Sequence, residues 1–508
     1  MDLFLSIDVG TTNWKVGAFT AKGDLVSLKK SPTITHYSDD GSGYYESEEI
    51  WNTIKTLLVD LMNDLTEHKV LTIACTGMAE SVVGIDENGL SVDRIIAWFD
   101  TNSLQFANRI RTEFGDEKIF SITGLDINPI FSLSKLMALK STNQKNFNRA
   151  VKWLQLPEFI SYKLSGLCYT DYSLASRTML FDIRNNKWSE ELLDYIELNE
   201  SHFATVVDSG TIIGNVTELV QAETGIPNTC KVIVGGHDHL CATIPAGATN
   251  GENLLDSSGT AESFIYVSKP GSSLPNQWNG LRIGRYLTKD KYVLWGGIVS
   301  SGASIEWGLK CLAESKVFSD GTFSELGHDV FFPSYFDEEN PQLCDILFLP
   351  HLRGAGAPYW NPQLKGSFIG LRSTHTSLDL LNAIFFGLSF QSKMIIDLME
   401  RESKSKIRSM NTVGGGSKLD YWQQVKSNVN QRLIHVPLVS DATLLGAALL
   451  GAVALGIYSS IDDASSNCYH IDHSFIPSIK AIQKYEKLYA NFCEVNDAIL
   501  SLCENLSR

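Results

Sequence analysis

Two short stretches lying about half a chain apart follow one plan, and that duplication constrains the fold more than any other feature. The first, "LFLSIDVGTTNWKVGAFTAKGDLVSL" from Leu3, reads as an apolar strand and a turn carrying Asp8, Gly10, Thr11 and Thr12. A second strand, a Lys22-Gly23 turn and a third strand follow. The second, "LLDSSGTAESFIYV" from Leu254, repeats strand, small polar turn with Gly259 and Thr260, and strand. At 508 residues the chain exceeds what one core usually serves. Two domains on one plan are therefore expected, 1–247 and 248–508, with the boundary near Ala248 to Asn253.

Helical periods follow each unit. "ESEEIWNTIKTLLVDLMNDL" offers Ser47 as N-cap, Glu48 and Glu49 in the first turn, and Ile50, Ile54, Leu57, Leu58 and Leu61 along one face. "TSLDLLNAIFFGLSFQSKMIIDLME" from Thr376 is a second long amphipathic segment. Strands and helices mix through both halves, so the class is α/β. The most apolar run, "TLLGAALLGAVALGIY" from Thr443, is 16 residues long and broken by Gly446, Gly451 and Gly456. It falls short of a bilayer span and reads as a buried helix whose glycines admit close neighbours.

A formal net charge of -16 without a basic cluster argues against a nucleic-acid surface. An acidic chain still binds ATP where backbone amides and a divalent cation offset the phosphates. Nine cysteines, spread singly and without CxxC spacing, read as reduced thiols. The start "MDLFLSIDVG" lacks a basic region and meets Asp8 too early for a signal peptide. Cytoplasmic location and no membrane partner are expected.

A loop that holds polyphosphate needs inward N–H groups, small residues, and a carboxylate for magnesium. "DVGTTNWK" supplies Gly10 for close approach, Thr11 and Thr12 as donors, Asp8 for the metal and Lys15 as counter-charge. "SSGTAE" is a second such turn, and "TVGGGSKLDYWQQV" from Thr412 a glycine turn at a strand end or helix start; it does not match a Walker P-loop. "VIVGGHDHLCATIPAG" places Asp238 between His237 and His239 after an apolar run. On the residues alone Asp238 is a metal ligand, a structural cap or a catalytic base. The HxH pair lacks further ligands at metal spacing, which argues against zinc.

Together these pieces resemble the FGGY family of carbohydrate kinases, in order, from residue 3 to about 458. The match comprises "DVGTTNWK", "GGHDH", "SSGTAE", "GGIVSSGASIEW", "FLPHLRGAGAPYWNPQLKGSFIGL", "GGGSKLDYW" and "DATLLGAALLGAVALGIY". The resemblance implies two ribonuclease H-like, actin-like ATPase domains around an interdomain cleft, with ATP largely on the second and the sugar largely on the first. It implies ATP and Mg2+ as cofactors, with Asp238 as the base that accepts the proton of the attacking hydroxyl. Asp8 would hold magnesium, directly or through water. Gly10, Thr11, Thr12, Lys15, Gly259, Thr260, Gly302, Glu306, Gly415, Gly416 and Asp420 would surround the nucleotide. Ala79, Glu80, Asp100, Asp238 and His239 would face the sugar, with Glu80 a bidentate acceptor for vicinal hydroxyls.

Three departures bear on the substrate. Ala79 stands where glycerol kinases have Arg and xylulokinases have Met, while Glu80 is shared with the former and is His in the latter. Asn102 replaces the Arg of a WxDxR segment, and "RGAGAPYWNP" differs from the commoner acidic versions at Ala355 and Asn361. A small sugar, a ketopentose or ketohexose, or a related polyol is the expected partner, and a homodimer an open expectation. The other reading is an actin-like or chaperone-like ATPase without a sugar substrate.

Overall fold

The structure, a computed structural model, describes residues 1–312 and 345–506. In the first half the strands β1 (Asp2–Val9), β2 (Asn13–Phe19), β3 (Leu25–Pro32), β4 (Lys69–Gly77), β5 (Ile212–Asn215) and β6 (Lys231–His237) form one sheet in the order β5-β6-β4-β1-β2-β3. β2 runs antiparallel to both β1 and β3, and β4 and β6 extend the sheet in parallel from β1. The second half repeats this with β7 (Asn253–Ser258), β8 (Glu262–Val267), β9 (Arg282–Arg285), β10 (Tyr292–Ile298), β11 (Ser409–Val413), β12 (Leu433–Pro437) and β13 (Ile471–Phe475), ordered β9-β10-β8-β7-β11-β12-β13. Here β7, β8 and β10 are the antiparallel part and β11 and β12 the parallel extension. The duplicated hairpins are thus the seeds of two sheets with one topology.

Helix α1 (Ser47–Asp64) buries Ile50, Ile54, Leu57, Leu58 and Leu61, the stripe its periodicity predicts. Its start differs from expectation. Ser47 is already inside the helix and buried, because the Ile50 N–H closes the first turn on the Glu46 carbonyl; Glu46 holds the cap position without a side-chain cap bond. The segment after Thr376 forms one long helix over Ser377–Ser403, capped by Thr376 and Asp379 bonding each other's backbone amides.

The apolar run becomes a helix over Ala442–Ala454 that packs on β1 and β4 of the first sheet and on the short helix α2 (Asp238–Ala242). A Cβ at Gly446 would lie 1.9 Å from the Cys241 carbonyl oxygen, and one at Gly451 2.1 Å from Thr72 Oγ1. Contact this close is possible only without side chains. Phe4, Ile233, Leu255, Ile265 and Leu444 share one apolar cluster, so residues of both sheets are sealed together through this helix. Among the described residues no helix is long and apolar enough to cross a membrane. The described cysteines are free thiols; Cys344 and the side chain of Cys503 lie outside the described residues.

Candidate active site

Parallel strands deliver their carboxyl ends to one edge of a sheet, where open α/β folds bind ligands. The register pairs Asp8 with Thr76, Thr76 with Gly236, and Gly77 with His237. The residues that leave β1, β4 and β6 therefore meet: the Gly10 turn, Met78 to Glu80, and Asp238.

Asp238 opens α2, and one of its oxygens is fully engaged. Oδ1 lies 2.7 Å from His237 Nδ1 and accepts the His239 N–H at 2.6 Å, while Oδ2 has no partner among the described residues. Burial works to raise its pKa, but His237, His239 and these hydrogen bonds outweigh burial and hold the carboxyl well below the usual carboxylate range. Burial lowers the His239 pKa below that of free histidine. His237 is fixed by its own N–H on Ser173 Oγ at 2.9 Å and packs edge-on to Trp295. Among the described residues no three His, Cys, Asp or Glu side chains are grouped to hold a metal.

On the first hairpin Thr11 and Thr12 are exposed at the tip, and Thr11 Oγ1 accepts the Trp98 indole N–H at 2.8 Å. Asp8 is buried, and its Oδ1 has no hydrogen-bond partner. Burial pushes its carboxyl up to about 7, against Lys15 and with help from Asp238 and Asp441. Lys15 departs from expectation: it bridges Asp8 at 3.1 Å and Asp441 at 2.9 Å, and so is committed to protein carboxylates.

The second hairpin meets two other glycine motifs. Helix α3 (Gly302–Leu312) starts against it, with the Gly302 N–H on the Gly259 carbonyl and the Ala303 N–H on the Thr260 carbonyl, each at 3.1 Å. A Cβ on Gly302 would stand 2.4 Å from Gly259 O, and one on Gly416 2.2 Å from Ser258 Oγ, whereas Gly415 opens on free space. The "GGG" turn lies between β11 and helix α4 (Asp420–Asn430), the strand-to-helix position its sequence implies. Glu306 and Asp420 are exposed and less committed to this cluster: Glu306 pairs with Lys310 at 2.6 Å, and Asp420 starts α4, 4.0 Å from His473. Beneath the hairpin Lys426 is wholly buried between Asp256 at 2.5 Å and Glu262 at 2.6 Å, and Glu262 accepts the Ser301 hydroxyl at 2.7 Å. That ion triad ties α4 to both strands of the turn.

The sugar-side prediction needs correction at Glu80. Its backbone is left-handed (φ 66°), and Oε1 is taken by Arg177, at 2.6 Å from Nε and 2.5 Å from Nη2. It is therefore no free bidentate acceptor, and only Oε2 lacks a described partner. Gln155 Oε1 accepts the Glu80 N–H at 2.9 Å, and the Lys135 ammonium donates to the carbonyls of Glu80, Ala97 and Trp98 at 2.8 to 3.1 Å. Burial pushes Lys135 down to about 7. Asp100 faces inward, accepting the Gly43 and Asn102 N–H groups at 3.0 and 2.9 Å, and so acts as a loop staple. Ala79 is buried and His239 part-exposed beside Trp295 at 5.3 Å. Arg177 and Trp295 were not singled out from the sequence. A lone Arg inside the otherwise small and apolar "SLASRTMLF" was the available signal; Trp295, within a strand, gave none.

Two sheets of one duplicated topology, each with a small-residue turn, define a two-lobed fold of the ribonuclease H-like, actin-like class. The comparisons with known proteins give the family. Residues 3–245 match the N-terminal domain of the FGGY family of carbohydrate kinases, and residues 256–455 match its C-terminal domain. The chain belongs to the FGGY family and is a carbohydrate kinase, a phosphotransferase with an alcohol group as acceptor. It is 26% identical to a xylulose kinase of Staphylococcus xylosus (98% of this chain, 100% of the relative) and 24% to a gluconokinase of Bacillus licheniformis (97% and 96%). A ligand-bound xylulose kinase structure from Lactobacillus acidophilus superposes with TM-score 0.89 at 21% identity over 100% of both chains.

Proposed function

We propose that the chain transfers the γ-phosphate of ATP to a hydroxyl of a small ketose or related polyol, with Asp238 as the base. The observation that carries this is the split use of the Asp238 carboxylate. Oδ1 is locked by His237 and the His239 amide, which fixes the plane of the group and leaves Oδ2 for an incoming hydroxyl. Phosphoryl transfer asks little covalent chemistry of the protein, so alignment and charge neutralisation do most of the work. An aspartate held ionised orients the nucleophile and takes its proton as the bond to phosphorus forms.

In this reading residues 1–247 carry the sugar and 248–508 most of the nucleotide. The amides of the exposed Thr11, Thr12 and Thr260 would receive phosphate oxygens, while Gly259, whose N–H is given to the Ala261 carbonyl at 2.9 Å, would allow their close approach; Gly415 and Gly416 would lie against the adenosine. Asp8 fits a magnesium site: a buried carboxylate oxygen without a partner beside Gly10 is a hard ligand of the type Mg2+ takes, usually with waters retained. The bound ion would supply neutralisation of the phosphate charge. A xylulose kinase among the relatives supports a ketose acceptor, and the free thiols of the described cysteines support a reducing, cytoplasmic setting.

Asp238→Asn is the test. The substitution keeps the shape and removes the base, so ATP binding should persist while sugar-dependent ADP release falls by about 10²–10⁴-fold. Near-normal turnover in a coupled assay would remove Asp238 from the role. A wild-type ATPase rate indifferent to added sugars would favour an actin-like ATPase instead.

A further inference from the structure

The side chains around the proposed sugar site carry several charges, and both arginines among them are already paired with carboxylates. Arg177 spends both Nε and Nη2 on Glu80 Oε1. Arg282, which reaches the same place from β9, grips Asp126 with Nε on Oδ1 at 2.6 Å and Nη2 on Oδ2 at 3.1 Å. The two guanidinium groups share Phe131, each 5.1 Å from its ring centre; Arg177 also lies 4.7 Å over Trp295, and Arg282 3.7 Å over Trp360. Trp295, Trp360 and Arg282 come from the second half of the chain, Phe131, Arg177, Glu80 and Asp126 from the first. The stack therefore closes the pocket across both halves. Lys135 is consumed by three carbonyls and by the field of Glu80 and Asp100, and Lys15 by Asp8 and Asp441. Against these cations Asp238 is a further carboxylate, with no cation of its own besides whatever charge the flanking histidines carry.

We propose that this pocket selects uncharged polyhydroxylated acceptors and rejects sugar acids, with the Arg177–Glu80 pair as the specificity-determining element. The inference rests on the kinase reading above and deepens it. A sugar carboxylate entering here would meet a net negative field and find no unpaired cation, and like charge held in a partly desolvated site is strongly unfavourable. A hydroxyl group, by contrast, both donates and accepts. The groups without a described partner are Glu80 Oε2 and Asp238 Oδ2 as acceptors and Arg177 Nη1 as donor, which match neighbouring hydroxyls of a neutral chain. The comparisons leave this choice open, since a xylulose kinase and a gluconokinase are similar to the chain at nearly equal identity.

The test is a coupled ADP-release assay on the full chain with MgATP, comparing short polyols and ketoses with aldonates of the same carbon number and with a no-sugar control. The expected result is kcat/KM at least about tenfold higher for a neutral acceptor than for any aldonate. An aldonate as the preferred acceptor overturns the inference and leaves the kinase reading intact. If neither class raises ADP release above the control, the kinase reading itself fails. Glu80→Gln sharpens the result by releasing the Arg177 charge: the aldonate-to-neutral ratio of kcat/KM should rise by about tenfold or more. An unchanged ratio in a folded variant counts against the pair as selector, and the wild-type panel stands whether or not that variant folds.

Discussion

At the residue scale the site is built from side chains that hold one another before any ligand arrives. Glu80 is the centre of such a group. Its N–H is on Gln155 Oε1, whose own backbone N–H is held by Glu158 Oε2 at 2.9 Å, while Thr170 bonds Glu158 Oε1 at 2.5 Å. Glu158 is buried, and burial pushes its carboxyl up to about 7 against those hydrogen bonds. A carboxyl whose folded pKa lies above its unfolded value binds more protons in the native state. Its stabilising contribution is therefore full below about 4.5 and lost as pH rises toward 7. Relative to Glu158→Gln, which does not titrate, the wild type should lose about 2–3 kcal/mol between pH 5 and pH 8. Urea midpoints of the two proteins measured at both pH values check this, and parallel pH profiles would contradict it.

At the scale of elements, the glycine-rich helix Ala442–Ala454 shows how distant sequence positions the proposed base. Its Gly446 seats against the Cys241 carbonyl in the helix that begins at Asp238, and its N-cap, Asp441, accepts the Leu444 N–H at 3.1 Å while holding Lys15. Gly446→Ala should cost about 1–3 kcal/mol, since the neighbour at 1.9 Å is backbone and moves only with the whole of α2. The same shift would carry Asp238 with it, so turnover should fall further than stability alone explains. Thermal unfolding with kcat on the same preparation tests both parts; an unaltered melting temperature would show that the helices slide apart freely. The duplicated hairpins were legible because a turn bearing Gly and Thr between two apolar strands is a local signal. The Ser47 cap was misread because the hydrogen bond that starts α1 is set one residue earlier, by the chain entering from Glu46.

For the whole molecule, the apolar interior does not separate at the boundary between the duplicated units. Phe4 and Ile233 of the first sheet share a cluster with Leu255 and Ile265 of the second, and residues such as Phe131, Ile183 and Phe203 share another with Ile283, Leu294 and Phe385. The halves should therefore unfold as one cooperative unit, and residues 1–247 alone, stripped of the helix that covers β1 and β4, should not fold stably. Calorimetry of the full chain is expected to show a single transition; two separable ones, or a soluble folded fragment with native exchange protection, would refute this.

The sequence by itself determined what depends on neighbours along the chain: the twin strand–turn–strand units, the α/β class, the glycine turns, and Asp238 at the end of an apolar strand. Only the tertiary structure decided which groups are free to act. It committed Lys15 to Asp8 and Asp441, closed Glu80 onto Arg177, and brought Trp295 from the far half to lie against His237 and His239. The reason is physical. Strand and turn propensities act over a few residues, whereas the charge state and availability of a buried side chain are set by whatever packs within a few ångströms, regardless of its place in the sequence.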